Sequence, residues 1–219
     1  KMDYVGSVTY VAQDRDWLKK LGMGVLMGLL SFVLVGGWAL SGWSMEAFRR
    51  VAHGAEEKLP GWDDLGGYIG QGFKYFVVSL VWSLPMIVLV AIFGGAMAAA
   101  ASSGRATGEA AMMGMSIVLW LLAMVYAFIV GFLSLGAFVI LAQTGNLGQA
   151  INPINAWNVL SRDLGKWVLT ALALVVIGAI LSAIGSVLCG VGAFVAMPWL
   201  SATQGNLLGQ TFVETGVEL

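Results

Sequence analysis

The feature that most constrains this chain is an uncharged run: no Asp, Glu, Lys or Arg occurs from Tyr75 to Gly104. Overlapping it, residues 73–98 read FKYFVVSLVWSLPMIVLVAIFGGAMA, with Lys74 at their start, Pro85 at their middle and a Trp-Asp-Asp segment before them. At a rise of about 1.5 Å per residue, roughly 20 apolar residues match the hydrocarbon thickness of a bilayer. Composition agrees. Only 11% of the residues are charged and 59% are hydrophobic, against roughly 25% charged in a soluble domain. The chain therefore reads as a polytopic membrane protein, a single integral membrane domain over residues 1–219.

Taken in order, residues 1–20 are polar and charged, with Asp14 or Asp16 as a helix cap and Trp17, Lys19 and Lys20 at the lipid–water boundary. No signal peptide is evident there. Residues 21–45 are uncharged and long enough for one crossing, yet Gly36-Gly37 at their middle permits a re-entrant hairpin. After Pro60, Trp62, Leu65, Tyr68, Ile69 and Phe73 recur at helical spacing and predict an in-plane amphipathic helix leading into the span. Residues 101–111 read as a loop, and 111–142 as a second span. Asn152 and Pro153 form a cap and first-turn pair, opening an amphipathic stripe of Ile154, Trp157, Leu160 and Leu164. Residues 167–189 and 193–213 read as the last two spans, the latter kinked at Pro198. The expected fold is all-α: a transmembrane helical bundle of four full spans plus an N-terminal re-entrant hairpin or fifth span, with two short interfacial amphipathic helices.

Charge sets the expected orientation. A single crossing at 21–45 divides the 11 basic residues almost evenly between the two sides. A hairpin leaves only Arg105 outside, and the positive-inside rule prefers that arrangement, with both termini cytoplasmic. A weak internal repeat also runs through the chain. Gly37-Trp38-Ala39, Gly136-Ala137-Phe138 and Gly192-Ala193-Phe194 begin similarly, and the latter two segments end in GNLGQ (145–149) and GNLLGQ (205–210). Helix pairs at 38–98 and 136–188 would then be parallel repeats.

MDY at the start, DRDWLKKL, AFRRVAHGAEEKLPGWDDLGGYIGQGFKYF and LCGVGAFVAMPWLSATQGNLLGQ together resemble the prokaryotic integral membrane proteins grouped as domain-of-unknown-function family 4013. The resemblance covers nearly the whole chain and is most specific at RR…G…LPxWDD followed by Gly-x-x-Lys. The ending GNLLGQTF departs from the family's aromatic-bearing form. The resemblance implies an inner-membrane location and a cytoplasmic WDD segment, and it carries no activity.

Candidate chemistry is sparse. Asp63 and Asp64 could hold a cation or a basic partner, but first-turn carboxylates also cap free N–H groups and complement the helix dipole. His53 is the only histidine and lacks the companions a metal site needs; a pigment would need only one axial ligand. Cys189 has no base near it in sequence. Gln143, Asn146, Gln149, Gln204, Asn206 and Gln210, with Thr144, Asn152, Asn155 and Asn158, form a polar group at the cytoplasmic ends of two helices. They read either as a pocket for a headgroup or polar solute, or as amides that tie helix ends together. No catalytic set and no cofactor is expected. A net charge of −1 excludes nucleic acid as a partner. The absence of ionisable residues from the span cores argues against ion-coupled transport. The expected function is a non-catalytic scaffold or accessory subunit packed against other membrane proteins, through small faces such as Gly24/Gly28, Gly178/Ser182/Ser186/Gly190 and Gly205/Gly209. The alternative is a passive carrier or binder of lipid or a hydrophobic small molecule.

Overall fold

In the computed structural model, residues 2–102, 106–187 and 191–217 are described. Their α-helices are α1 (Gly6–Gln13), α2 (Trp17–Leu30), α3 (Val35–Ala52), α4 (Leu65–Ser102), α5 (Ala106–Thr144), α6 (Leu147–Ile151), α7 (Pro153–Leu160), α8 (Leu164–Val187) and α9 (Val191–Thr215). No strand occurs among the described residues. Three helical stretches, Leu65–Ser102, Ala110–Thr144 and Pro153–Ser186, are long and apolar enough to cross a membrane. They fit a multi-pass membrane protein.

The order of α2 and α3 is that of a hairpin. A 3₁₀ turn over Ser31–Val33 and Leu34, at φ 66°, reverse the chain. The expected break at Gly36-Gly37 thus falls two residues late. Gly36 lies inside α3 because its Cα presses on α2: a Cβ there would sit 1.8 Å from the Met27 carbonyl oxygen. The turn itself is bare and apolar, and Phe32 is 85% exposed.

α3 is the centre of the molecule. Ala39, Trp43, Met45, Ala47 and Phe48 are fully buried. On one side, a Cβ on Gly42 would lie 1.9 Å from the Tyr68 carbonyl oxygen, and one on Gly72 would lie 1.8 Å from that of Trp38. On another side, Gly205 and Gly209 of α9 meet the backbone carbonyls of Ser44 and Phe48 in the same chain direction. Glycine is required at these positions by backbone approach, which any side chain would block. The small faces Gly24/Gly28 and Gly205/Gly209 are therefore occupied within the chain: Gly24 and Gly28 face Pro198, Phe194 and Met197. Gly178 likewise faces Leu200.

Several sequence expectations need correction. The amphipathic helix before residue 73 is not separate: it is the first part of α4, which continues without interruption through Pro85. Its apolar face is used on α3, where Tyr68 and Gly72 are buried. Of the expected loop at 101–111, residues 101–102 and 106–111 are helical, with α4 reaching Ser102 and α5 starting at Ala106, while 103–105 lie outside the described residues. Of the two repeat motifs, GNLGQ is a helix break with Gly145 at φ 63°, whereas GNLLGQ is uninterrupted α9. The α6–α7 connection follows its sequence signals: the Asn152 side chain accepts from Ile154 N, with Pro153 in the first turn.

The α3–α4 crossing can be tested directly. Gly42→Ala should lower stability by about 1–3 kcal/mol, as overpacking does. Gly70→Ala, with no atom within 4 Å of its new Cβ, should be neutral or add up to about 1 kcal/mol through helix propensity. Thermal unfolding in detergent reads both. Equal effects would refute the crossing.

Candidate functional site

Most of the polar side chains singled out in the sequence are engaged in hydrogen bonds within the chain. Asp64 accepts from Gly67 N (2.9 Å) and caps α4, while Asp63 is exposed beside it. Asn146 accepts from Gln149 N (3.2 Å) and caps α6. Asn155 donates to the Gln149 carbonyl (3.1 Å). Asn206 is buried, and its Oδ1 accepts from Ser7 Oγ (3.0 Å) and Gln210 Nε2 (2.7 Å). Gln210 Oε1 accepts in turn from Asp3 N (2.9 Å). The polar group expected on two helix ends is thus divided. Asn206 and Gln210 fasten α1 to α9, Asn146 and Gln149 shape the α5–α6 turn, and Gln204 is half-buried on α9. Gln143 Nε2 and Gln71 Oε1 are buried without a hydrogen-bond partner.

Basic residues take up carbonyls in the same region. Lys74 Nζ donates to the Gly145 oxygen (2.9 Å) and Arg49 Nε to the Ala142 oxygen, both at the C-terminal end of α5. Lys166 Nζ donates to the Glu214 oxygen (3.0 Å) at the end of α9. A cation at this position satisfies carbonyls that lack a helical donor and complements the negative end of the dipole. His53 is exposed, with Nδ1 2.8 Å from the Arg49 carbonyl oxygen. Cys189 lies outside the described residues. Among those residues, no group of three or more His, Cys, Asp or Glu is placed to hold a metal.

A polar cleft that no sequence spacing singled out lies at the N-terminal end of the chain. A cleft of about 810 Å³ opens between α1, the start of α2 and the 56–59 loop, lined by charged groups that include Asp16, Arg15, Glu56, Glu57 and Lys58. At its wall, Lys20 Nζ pairs with Asp14 Oδ2 at 2.7 Å and also donates to the Leu59 carbonyl (2.9 Å). The two side chains are only 13% and 11% exposed. Asp14 therefore holds Lys20, and its expected role as a cap is reduced to one bond from Asp16 N (2.9 Å). Tyr10 also borders the cleft. Burial, then the nearby Asp14 charge, raises its pKa, so the phenol stays protonated and donates to the Ala202 carbonyl (2.9 Å). Alternating carboxylates and cations suit recognition of a mixed-charge surface by complementarity. No residue spacing signals this cleft, because Lys20 and Leu59 are separated by 39 positions and meet only when the loop folds back onto α2.

The family model described as "Protein of unknown function (DUF4013)" matches residues 25–190, and the chain belongs to that family. No curated protein and no solved structure matches it.

Lys20→Met leaves the Asp14 carboxylate and the Leu59 carbonyl without their partner in a mostly buried setting. A loss on the order of 3 kcal/mol is expected from removing one member of such a pair. Adding Asp14→Leu to the same chain should recover part of it. Unchanged unfolding of the single variant would show that the contact contributes nothing.

Proposed function

We propose that this member of the family is a non-catalytic membrane scaffold or accessory subunit whose α4–α5 hairpin packs against other membrane proteins. The observation that carries this reading is how little of that hairpin its own chain uses. From Ser83 to Ser102 and from Ala110 to Ser134, no described residue is buried. The uncharged part of α4 from Tyr75 to Ser102 is about 42 Å long at 1.5 Å per residue, against a hydrocarbon core of about 30 Å. Excess apolar length is relieved by tilting, by thickening the bilayer or by association. Glycine distribution favours association. A Cβ added at Gly94, Gly95 or Gly114 would meet no atom within 4 Å, unlike one at the glycines that seat α3. Glycine inside a helix is unfavourable unless something approaches closely, and Gly94/Ala98 and Gly95/Ala99 have the four-residue spacing that admits a partner helix.

In this reading α4, α5, α8 and α9 are four full spans of a prokaryotic inner membrane. α2–α3 is a re-entrant hairpin whose apolar tip at Phe32 enters the bilayer. The positive-inside rule puts Arg15, Lys19, Lys20, Arg49, Arg50 and Lys58, together with both termini, in the cytoplasm. α7 lies at the interface: Ile154 and Trp157 are 65% and 48% exposed, while Ala156, Val159 and Leu160 on its other face are buried. This division suits an amphipathic helix between lipid headgroups and core. The alternative reading, a binder of lipid or a hydrophobic small molecule, draws on a groove in the inner half of the α4–α5 hairpin.

Two measurements test the proposal. Gly95→Ile should leave folding intact and reduce co-purification of membrane partners from the native membrane several-fold; a wild-type chain that purifies alone as a monomer in mild detergent would end the scaffold reading. Cysteines at exposed Gln13 and Glu57 should react with an impermeant reagent from the cytoplasmic side only. Labelling from opposite sides would turn α2 into a full span.

A further inference from the structure

Between the inner halves of α4 and α5 lies a groove of about 510 Å³, walled by Trp82, Met86, Ala123, Tyr126, Ala127 and Gly131 among others. Pro85 precedes Met86 on the α4 wall. Proline has no N–H to offer the carbonyl one turn earlier, and its ring displaces that turn. Tyr126 crosses from α5 to donate its hydroxyl to the Trp82 carbonyl. The Trp82 indole N–H is directed away, to the Ile151 carbonyl at 2.7 Å. The hydroxyls of Ser79, Ser83 and Ser134 donate to the carbonyls of Tyr75, Leu80 and Gly131 in their own helices. Each of these polar tips is satisfied, so the groove offers ring faces, methyls and a methionine thioether. On the α5 wall, Ala123, Ala127 and Gly131 recur every fourth residue, yet α4 does not close onto them: no atom lies within 4 Å of a Cβ at Gly131.

We infer that this groove is a fixed site for the acyl chain of a bilayer lipid. The occupant follows from the surroundings. The groove is continuous with a surface on which Leu80, Leu84, Ile87, Leu122, Val125 and Ile129 are all exposed, on helices whose length and apolarity place them in the membrane. Hydrocarbon is the medium outside it, and the serine hydroxyls, the Trp82 indole and the Tyr126 hydroxyl on these walls are already paired. A volume within the roughly 300–1,000 Å³ of small-molecule sites accommodates a chain. Aromatic walls fixed by hydrogen bonds keep the groove open when it is empty. The inference rests on the membrane placement of α4 and α5 and is independent of whether the outer half of the hairpin docks a partner.

The test uses the full chain reconstituted in phosphatidylcholine nanodiscs, released into mild detergent and weighed by native mass spectrometry. The wild type should retain one phospholipid more than Ala127→Trp, which fills the groove, while Trp120→Leu, a change on the 72% exposed outer surface, should retain as many as the wild type. A second measurement does not depend on the filled variant folding. With phosphatidylcholine brominated in its acyl chains, the wild type should show a component of tryptophan quenching that saturates at low mole fraction, and Trp82→Phe should lose it. Equal retention in Ala127→Trp and wild type, or quenching that follows bulk lipid composition alone, overturns the inference. So does disulfide formation between two copies of Ala127→Cys, which would make a second chain the occupant.

Discussion

The contact on which everything else depends is the approach of backbone to backbone around α3. Gly42 and Gly72 seat α3 and α4 on one another, and Gly205 and Gly209 seat α9 on α3. At such distances the usual hydrophobic argument has little force, because in a lipid setting apolar side chains gain almost nothing by leaving hydrocarbon for protein. What holds helices there is dense van der Waals contact, and density needs the side chain removed from the contact point. The buried aromatics fit around this crossing. Trp43 stacks on Trp62 with ring centres 5.1 Å apart and planes 8° from parallel, and Phe48 meets Phe138 edge to face at 6.1 Å.

A second constraint is the carbonyl without a helical donor. Each helix end and each turn leaves some, and an unsatisfied one away from water is costly. This chain meets that demand with long side chains from elsewhere in sequence. The indole N–H groups of Trp43 and Trp82 donate to the carbonyls of Pro60, in a loop, and Ile151, at the end of α6, at 3.0 and 2.7 Å. Lys20, Lys74, Arg49 and Lys166 do the same with ammonium and guanidinium groups. Residues that resemble interface anchors and topology signals in the sequence therefore also join elements in the fold. The same residues serve both purposes because each is an amphipathic donor on a long arm.

Much of the architecture was legible in the residues. The apolar runs, the Asn152-Pro153 helix start and the capping role of Asp64 all rest on interactions within about one turn of chain or on bulk composition. The candidate site was less legible. The amides at Asn146 and Asn206 look alike as residues, yet one caps a short helix and the other is buried against Ser7 of α1. The Lys20–Asp14–Leu59 cluster has no sequence signature, since two of its members belong to one helix entry and the third to a loop that folds back. The walls of the groove near Pro85 were not legible, because Ala123, Tyr126, Ala127 and Gly131 belong to the facing helix α5.

Sequence by itself determined the solvent and the secondary structure. Long runs with no charge are helical in a bilayer, because a helix satisfies its own backbone there. Tertiary structure decided which glycines are contacts and which are free. It seated Gly42, Gly72, Gly205 and Gly209 on neighbouring backbones and left Gly94, Gly95 and Gly131 facing open space. A glycine carries no side chain to reveal its direction, so its role exists only once a neighbour does or does not arrive.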